Sequence, residues 1–177
     1  MTGTARRVPG GDRRSLRQAR EAKTEDALHV GSEKQRRYGP LVLRPRLRVT
    51  SVSIAAPDPR ELATFYSKLL GWPVTSTDPP RPDFPAQDGW AQMRPPDNVP
   101  GPTLNFEYEA RYAAPVWPST EGQQQLQTHL DIAVDDLAAA VAWAQHAGAT
   151  LASYQPQDDV RVMLDPVGHP FCLFLAA

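Results

Sequence analysis

Three side chains in the last three quarters of the chain have the type and setting to do chemistry. His129 stands in the run Thr128-His129-Leu130-Asp131-Ile132-Ala133-Val134. Strand alternation puts Leu130 and Ile132 on one face and His129 with Asp131 on the other. A histidine so placed can ligate a metal, act as a general base near neutral pH, or fill space with hydrogen bonds. Glu107 lies in Leu104-Asn105-Phe106-Glu107-Tyr108-Glu109, sharing a face with Asn105 and Glu109. Facing a cleft, that carboxylate binds a metal or takes a proton; at a sheet edge it is solvated surface. Cys172, the single cysteine, is set in Phe171-Cys172-Leu173-Phe174-Leu175. In such a run it is a small buried hydrophobe or, as a thiolate, a ligand for a soft metal. One cysteine rules out an internal disulfide and a cysteine-built zinc cage.

Around these lie Trp72, Trp90, Phe106, Tyr108 and Trp117. Most belong to a core, but Trp90 and Trp117 border proline-rich stretches that could cover a cleft mouth. Aromatic walls suit apolar or planar ligands. Trp90, Phe106 and Trp117 are therefore candidate pocket residues. His169 follows a glycine turn and reads as a loop cap or an exposed side chain. Nucleotide-binding glycine loops, a Gly-x-Ser-x-Gly elbow, His-Glu-x-x-His and Cys-x-x-Cys are all missing from the sequence.

The elements that must position these residues read as two parallel halves. The first opens with the β-branched run Val49-Thr50-Ser51-Val52-Ser53-Ile54-Ala55. Asp58-Pro59-Arg60-Glu61 then starts a helix, with an N-cap acid and proline at its first position. Leu62, Phe65, Tyr66 and Leu69 form its apolar stripe, and Gly71 stops it. The second half repeats this from Thr128. Asp135-Asp136 caps a helix with the stripe Leu137, Ala140, Val141 and Ala144, stopped by Gly148. Ser51 to Asp58 and His129 to Asp136 are both seven residues, and the halves are displaced by 78.

Three strands follow each helix. They are Val74–Thr77, Gly89–Met93 and Thr103–Tyr108 in the first half, and Thr150–Tyr154, Val160–Leu164 and Phe171–Leu175 in the second. Eight prolines fall between Asp78 and Pro102, marking extended loop rather than central strand. The pattern predicts an α+β domain over 47–177. Its first module spans about 48–110, a linker 111–127, and its second module about 128–177. One module alone leaves a half-exposed sheet, so the two must pair to bury it.

Several of these stretches resemble a known family. Asp58-x6-Phe65-Tyr66-x3-Leu70-Gly71-Trp72 is similar to the helix-to-strand signature of the vicinal oxygen chelate superfamily. That group holds glyoxalase I, extradiol dioxygenases and the bleomycin- and fosfomycin-resistance proteins. Thr128-His129-Leu130-Asp131, Val134-Asp135-Asp136-Leu137, Gly148-Ala149 and Asp165-Pro166-x-Gly168-His169-Pro170-Phe171-Cys172-Leu173 extend the likeness. The last of these is most similar to the glyoxalase-like subgroup.

The resemblance implies two tandem βαβββ modules forming a cleft from curved mixed sheets. It also implies four cleft positions: Ser51, Glu107, His129 and Cys172. Ser51 stands where histidine or glutamine is usual, and Cys172 where glutamate is. On this basis His129, Glu107 and Cys172 are expected to hold a divalent metal (zinc, nickel, manganese or iron). Glu107 would move the proton and Ser51 would line the pocket. The activity implied is that of a metal-assisted lyase, isomerase or dioxygenase on a small molecule. The alternative is a metal-free protein of the bleomycin-resistance type, sequestering its ligand in an acidic, aromatic cleft. Related chains often dimerise, so a homodimer is expected.

Charge divides the chain differently. Residues 1–48 carry 13 Lys+Arg and 5 Asp+Glu, a net +8; residues 49–177 carry 6 and 15, a net −9. The segment 1–46 has few large apolar residues and reads as a basic, solvated extension without a fold of its own. It lacks the interleaved aromatics of a nucleic-acid arm, so no nucleic-acid partner is expected. No run reaches the ~20 apolar residues a bilayer span needs, and no apolar run follows the first arginines as in a secretory leader. A cytoplasmic protein without a membrane partner is the expectation.

Overall fold

The computed structural model describes residues 46–176. The basic extension read from residues 1–46 falls almost entirely outside that range. From Arg48 onward the chain is one compact unit.

Strand β1 (Ser51–Ala56) leads into helix α1 (Pro59–Leu70). The Asp58 side chain accepts from the backbone N–H groups of Arg60 and Glu61, satisfying two donors that the first helical turn leaves free. Gly71, at φ 68°, ends the helix in the left-handed region, where glycine carries no Cβ penalty. Strands β2 (Val74–Asp78), β3 (Trp90–Met93) and β4 (Thr103–Tyr108) complete the first module. The second runs β5 (Leu130–Val134), α2 (Leu137–Ala147), β6 (Thr150–Leu151), β7 (Val160–Leu164) and β8 (Pro170–Leu175). Asp136 caps α2 through the Ala139 N–H.

Each module is a four-stranded mixed sheet. The orders are β1-β4-β3-β2 and β5-β8-β7-β6, with the first pair parallel and the others antiparallel. Neither sheet closes into a barrel. The expected tandem βαβββ architecture is therefore the observed one.

Alternation decides which face of each strand is buried. In the first sheet Ile54, Ala56, Leu104 and Phe106 turn inward, while Ser53, Ala55 and Glu107 are exposed. In the second, Phe171 and Leu173 turn inward and Cys172 faces the other way. The inward faces share one core with the helices. Tyr66 stacks on Phe106 at 5.5 Å and meets Phe171 edge-on at 6.3 Å, tying both sheets to α1. The helices join directly: Lys68 Nζ donates to the His146 carbonyl and Trp143 Nε1 to the Leu69 carbonyl. Burying an aromatic ring of this kind contributes roughly 2–3 kcal/mol.

Two local departures from expectation have physical causes. Strand β6 stops at Leu151 instead of reaching Tyr154, because a side chain takes over the pairing. The Gln155 amide accepts from Val162 N–H at 2.8 Å and donates to the Val162 carbonyl at 2.9 Å. The proline-rich stretch after β2 is pinned rather than loose. The Arg60 guanidinium donates to the carbonyls of Asp78, Ala86 and Asp88. Gly89, at φ 134°, lets it pass, since a Cβ there would collide with Arg60 Nη1 and the Asp78 carbonyl.

Candidate functional site

The outward face of the second sheet gathers His129, Asp131 and Cys172. Parallel pairing of β5 with β8 sets Asp131 opposite Cys172. His129, one residue before β5, shares the Asp131 face. Its Nε2 lies 2.9 Å from Cys172 Sγ and 3.6 Å from Asp131 Oδ1. One ligand atom from each of the three residues fits within 4.8 Å of the others. Burial, helped by the Asp131 charge, pushes the Cys172 thiol up. Near neutral pH it stays protonated, and the ring tautomer sets which of Sγ and Nε2 donates across the 2.9 Å contact. A neutral thiol is a weak nucleophile, which argues against a cysteine–histidine nucleophilic pair.

The same three groups fit a metal. Imidazole nitrogen, thiolate sulfur and carboxylate oxygen are the donors zinc takes. Around a tetrahedral zinc, sulfur and nitrogen ligands sit roughly 3.5 Å apart. A small separation of Nε2 and Sγ from 2.9 Å, with loss of the proton between them, meets that spacing. Three protein donors leave a coordination position for water or substrate, the pattern of catalytic rather than structural zinc sites.

The linker between the modules supplies a wall. Trp117 lies 6.4 Å from the His129 ring, and its Nε1 donates to the Tyr154 carbonyl. The Tyr154 ring lies 6.5 Å from Trp117 and is half exposed. The aromatic pair thus borders the donor cluster on one side.

The other expected site residues separate from this cluster. Glu107 lies on the outward face of the first sheet, where it accepts a 2.9 Å hydrogen bond from Ser53 Oγ, not from Ser51. It pairs across strands with Trp90, and the two line a cavity of about 250 Å³ with Tyr108 and the Arg81–Asp88 ion pair. Arg81 holds the Asp88 carboxyl below its ordinary range through hydrogen bonds at 2.6 and 3.0 Å. Phe106 is fully buried against Tyr66, so it is core and not pocket wall. It alternates with Glu107, and both cannot face the same side. Ser51 is half-buried at the start of β1.

Register explains the separation. The 78-residue displacement carries Ser53 onto Asp131. Ser53 pairs with Asn105 just as Asp131 pairs with Cys172. Asn105 is thus the positional counterpart of Cys172, and Glu107 lies two residues beyond it. Asn105 accepts from Gln92 Nε2, and Gln92 from Arg94. Where the second module places a thiol, a carboxylate and an imidazole, the first places neutral amides and a serine. Asp131 and Tyr154 were not singled out from sequence. For Asp131 the signal was present, since it shares the strand face of His129.

The sequence profile of the Glyoxalase-like domain matches residues 51–174. The chain belongs to the glyoxalase-like domain family. Solved structures agree on the fold. A glyoxalase family protein from Enterococcus faecalis is 20% identical, with a TM-score of 0.51 over 72% of this chain and 96% of its own. The trypanothione-dependent glyoxalase I of Leishmania major is 18% identical, at 0.50 over 73% and 87%. No curated protein matches the chain. At these identities the likeness is one of fold. Among the described residues no helix is long and apolar enough to cross a membrane.

Proposed function

We propose that this glyoxalase-like protein binds a soft divalent metal through His129, Asp131 and Cys172 and acts as a metal-assisted lyase or isomerase on a small substrate. The observation that carries the reading is the convergence of one nitrogen, one oxygen and one sulfur donor within 4.8 Å. A thiolate donor favours zinc over the harder manganese or magnesium, and zinc has no redox chemistry. That sets lyase or isomerase above dioxygenase. When bound, such a metal polarises a substrate oxygen as a Lewis acid. Trp117 and Tyr154 orient an apolar or planar part of the substrate beside the donors. Glu107 is the proposed proton acceptor. It lies on the first sheet and outside the cluster, so the reading includes a homodimer in which a second copy completes the cleft. A thiol ligand suits the reducing cytoplasm, where we place the protein.

Metal analysis of the purified protein tests this directly. One equivalent of zinc, nickel or iron is expected in the wild type, and less than a tenth of that in a folded His129→Ala variant. No metal after loading with each of these ions sinks the proposal. Glu107's distance from the cluster favours a second reading, metal-free sequestration of a planar ligand against Trp117. Quenching of tryptophan fluorescence by an aromatic ligand in chelator-treated protein, unchanged by His129→Ala, would select it.

A further inference from the structure

A second cluster lies away from the metal donors, at the turn joining β7 to β8. Asp165 is fully buried and accepts four hydrogen bonds. They come from the N–H groups of Val167 and His169, from Tyr66 Oη, and from His169 Nδ1 at 2.9 Å. Burial and the neighbouring Asp165 charge hold the Tyr66 hydroxyl well above its ordinary pKa, so it remains a donor. Nδ1 of His169 therefore carries a proton toward a buried carboxylate.

The opposite ring nitrogen meets Tyr112. The Tyr112 hydroxyl lies 2.9 Å from the Val167 carbonyl and 3.2 Å from His169 Nε2. A carbonyl can only accept, so the hydroxyl donates there and offers its lone pairs to the ring. A protonated Nε2 would then find its acceptor in that oxygen. A proton on both nitrogens would make the ring an imidazolium, balanced on its far side by Asp165.

This ring forms part of the wall of a cavity of about 360 Å³, at the lower end of small-molecule pockets. None of His129, Asp131 and Cys172 lines it. Its other polar walls include Ser53, Glu109, Arg111, Tyr112 and Gln127. Glu109 accepts from the Arg111 backbone N–H at 2.8 Å. Among the described residues no carboxylate lies within 4 Å of the Arg111 guanidinium. Among the described residues the cavity thus presents one cationic side chain without an ion partner and one imidazole edge, His169 Nε2, 3.2 Å from the Tyr112 hydroxyl.

We propose that this cavity binds a small carboxylate, with Arg111 and His169 Nε2–H as its charged contacts. The carboxylate replaces the Tyr112 oxygen as acceptor for Nε2–H, exchanging a 3.2 Å neutral contact for a charge-assisted one. Tyr112 keeps its shorter bond to Val167.

The probe is malonate, added to the full-length, ¹⁵N-labelled protein, with malonamide as its uncharged analogue and inorganic phosphate as a competing anion. Malonate is expected to move the His169 side-chain resonance saturably, and malonamide to leave it in place. Arg111→Gln, at an exposed position, should weaken malonate binding about tenfold. His169→Gln should weaken it comparably, while Tyr112→Phe should preserve it. Absence of a saturable malonate shift overturns the proposal. So does binding indifferent to Arg111→Gln. Equal binding of phosphate with the same Arg111 dependence overturns the choice of a carboxylate.

Discussion

If Cys172 is a metal ligand, affinity must fall steeply with acidity, because its thiol has to lose a proton first. The thiol lies above its ordinary value of 9.0, raised by burial and by Asp131. At pH 7 deprotonation therefore costs at least two pH units of free energy, or about 2.7 kcal/mol. Apparent affinity should rise about tenfold per unit between pH 7 and 9 through this group, and binding should release one thiol proton. The assay is a cobalt(II) titration followed by the thiolate-to-metal absorption band, repeated at pH 7, 8 and 9, with proton release read by an indicator dye. Cys172→Ser should lose the band and the steep dependence together. Asp131→Asn should keep the band and weaken binding. Affinity that is flat across this range, or an unchanged titration in Cys172→Ser, would refute the assignment of sulfur as a ligand.

Other consequences concern the scaffold. Phe171→Ala removes the ring that joins the second sheet to Phe65 and Tyr66 and should cost about 3–5 kcal/mol in urea denaturation, since the site is fully enclosed. Asp88 has its folded pKa depressed by Arg81, so its contribution is present above the ordinary carboxylate range, near 4, and is lost as pH falls through the depressed value. Asp88→Asn should accordingly flatten the acid limb of the stability–pH curve, as followed by thermal melts from pH 6 to 2. Gly89→Ala should loosen the segment held by Arg60 and raise proteolysis between Asp78 and Asp88, because a Cβ there meets guanidinium and backbone.

Both halves of the fold were legible because their signals are local. Caps at Asp58 and Asp136 and stops at Gly71 and Gly148 depend on a few neighbouring residues, and each has the expected role. The site was less legible because it depends on register. Alternation in β4 shows that Asn105 and Glu107 share a face, but not which of them stands level with Ser53. The proline-rich connections of the first module break the count that links its strands to those of the second. Phe106 shows the opposite limit. Its alternation with Glu107 already placed the two on opposite faces, so one of them had to leave the pocket. The His169 cluster joins side chains 99 residues apart, from Tyr66 to Asp165, and no local pattern marks such a contact.

The divergence of the two modules bears on what the site can do. Equivalent strand pairs place Ser53 and Asn105 in one sheet and Asp131 and Cys172 in the other. A symmetric pair of donor clusters would bring two half-buried thiols, each disfavoured as a thiolate by desolvation unless a metal were bound. Here that cost is confined to the second sheet. The first offers Gln92 and Asn105, already joined by a 3.0 Å hydrogen bond, and an exposed Glu107. Such a face can contact a polar substrate without a metal of its own, while its carboxylate is free to move a proton. If so, Glu107→Gln should leave metal content unchanged and remove turnover, whereas His129→Ala should remove both. Loss of metal in Glu107→Gln would instead make Glu107 a ligand and erase this division between the sheets.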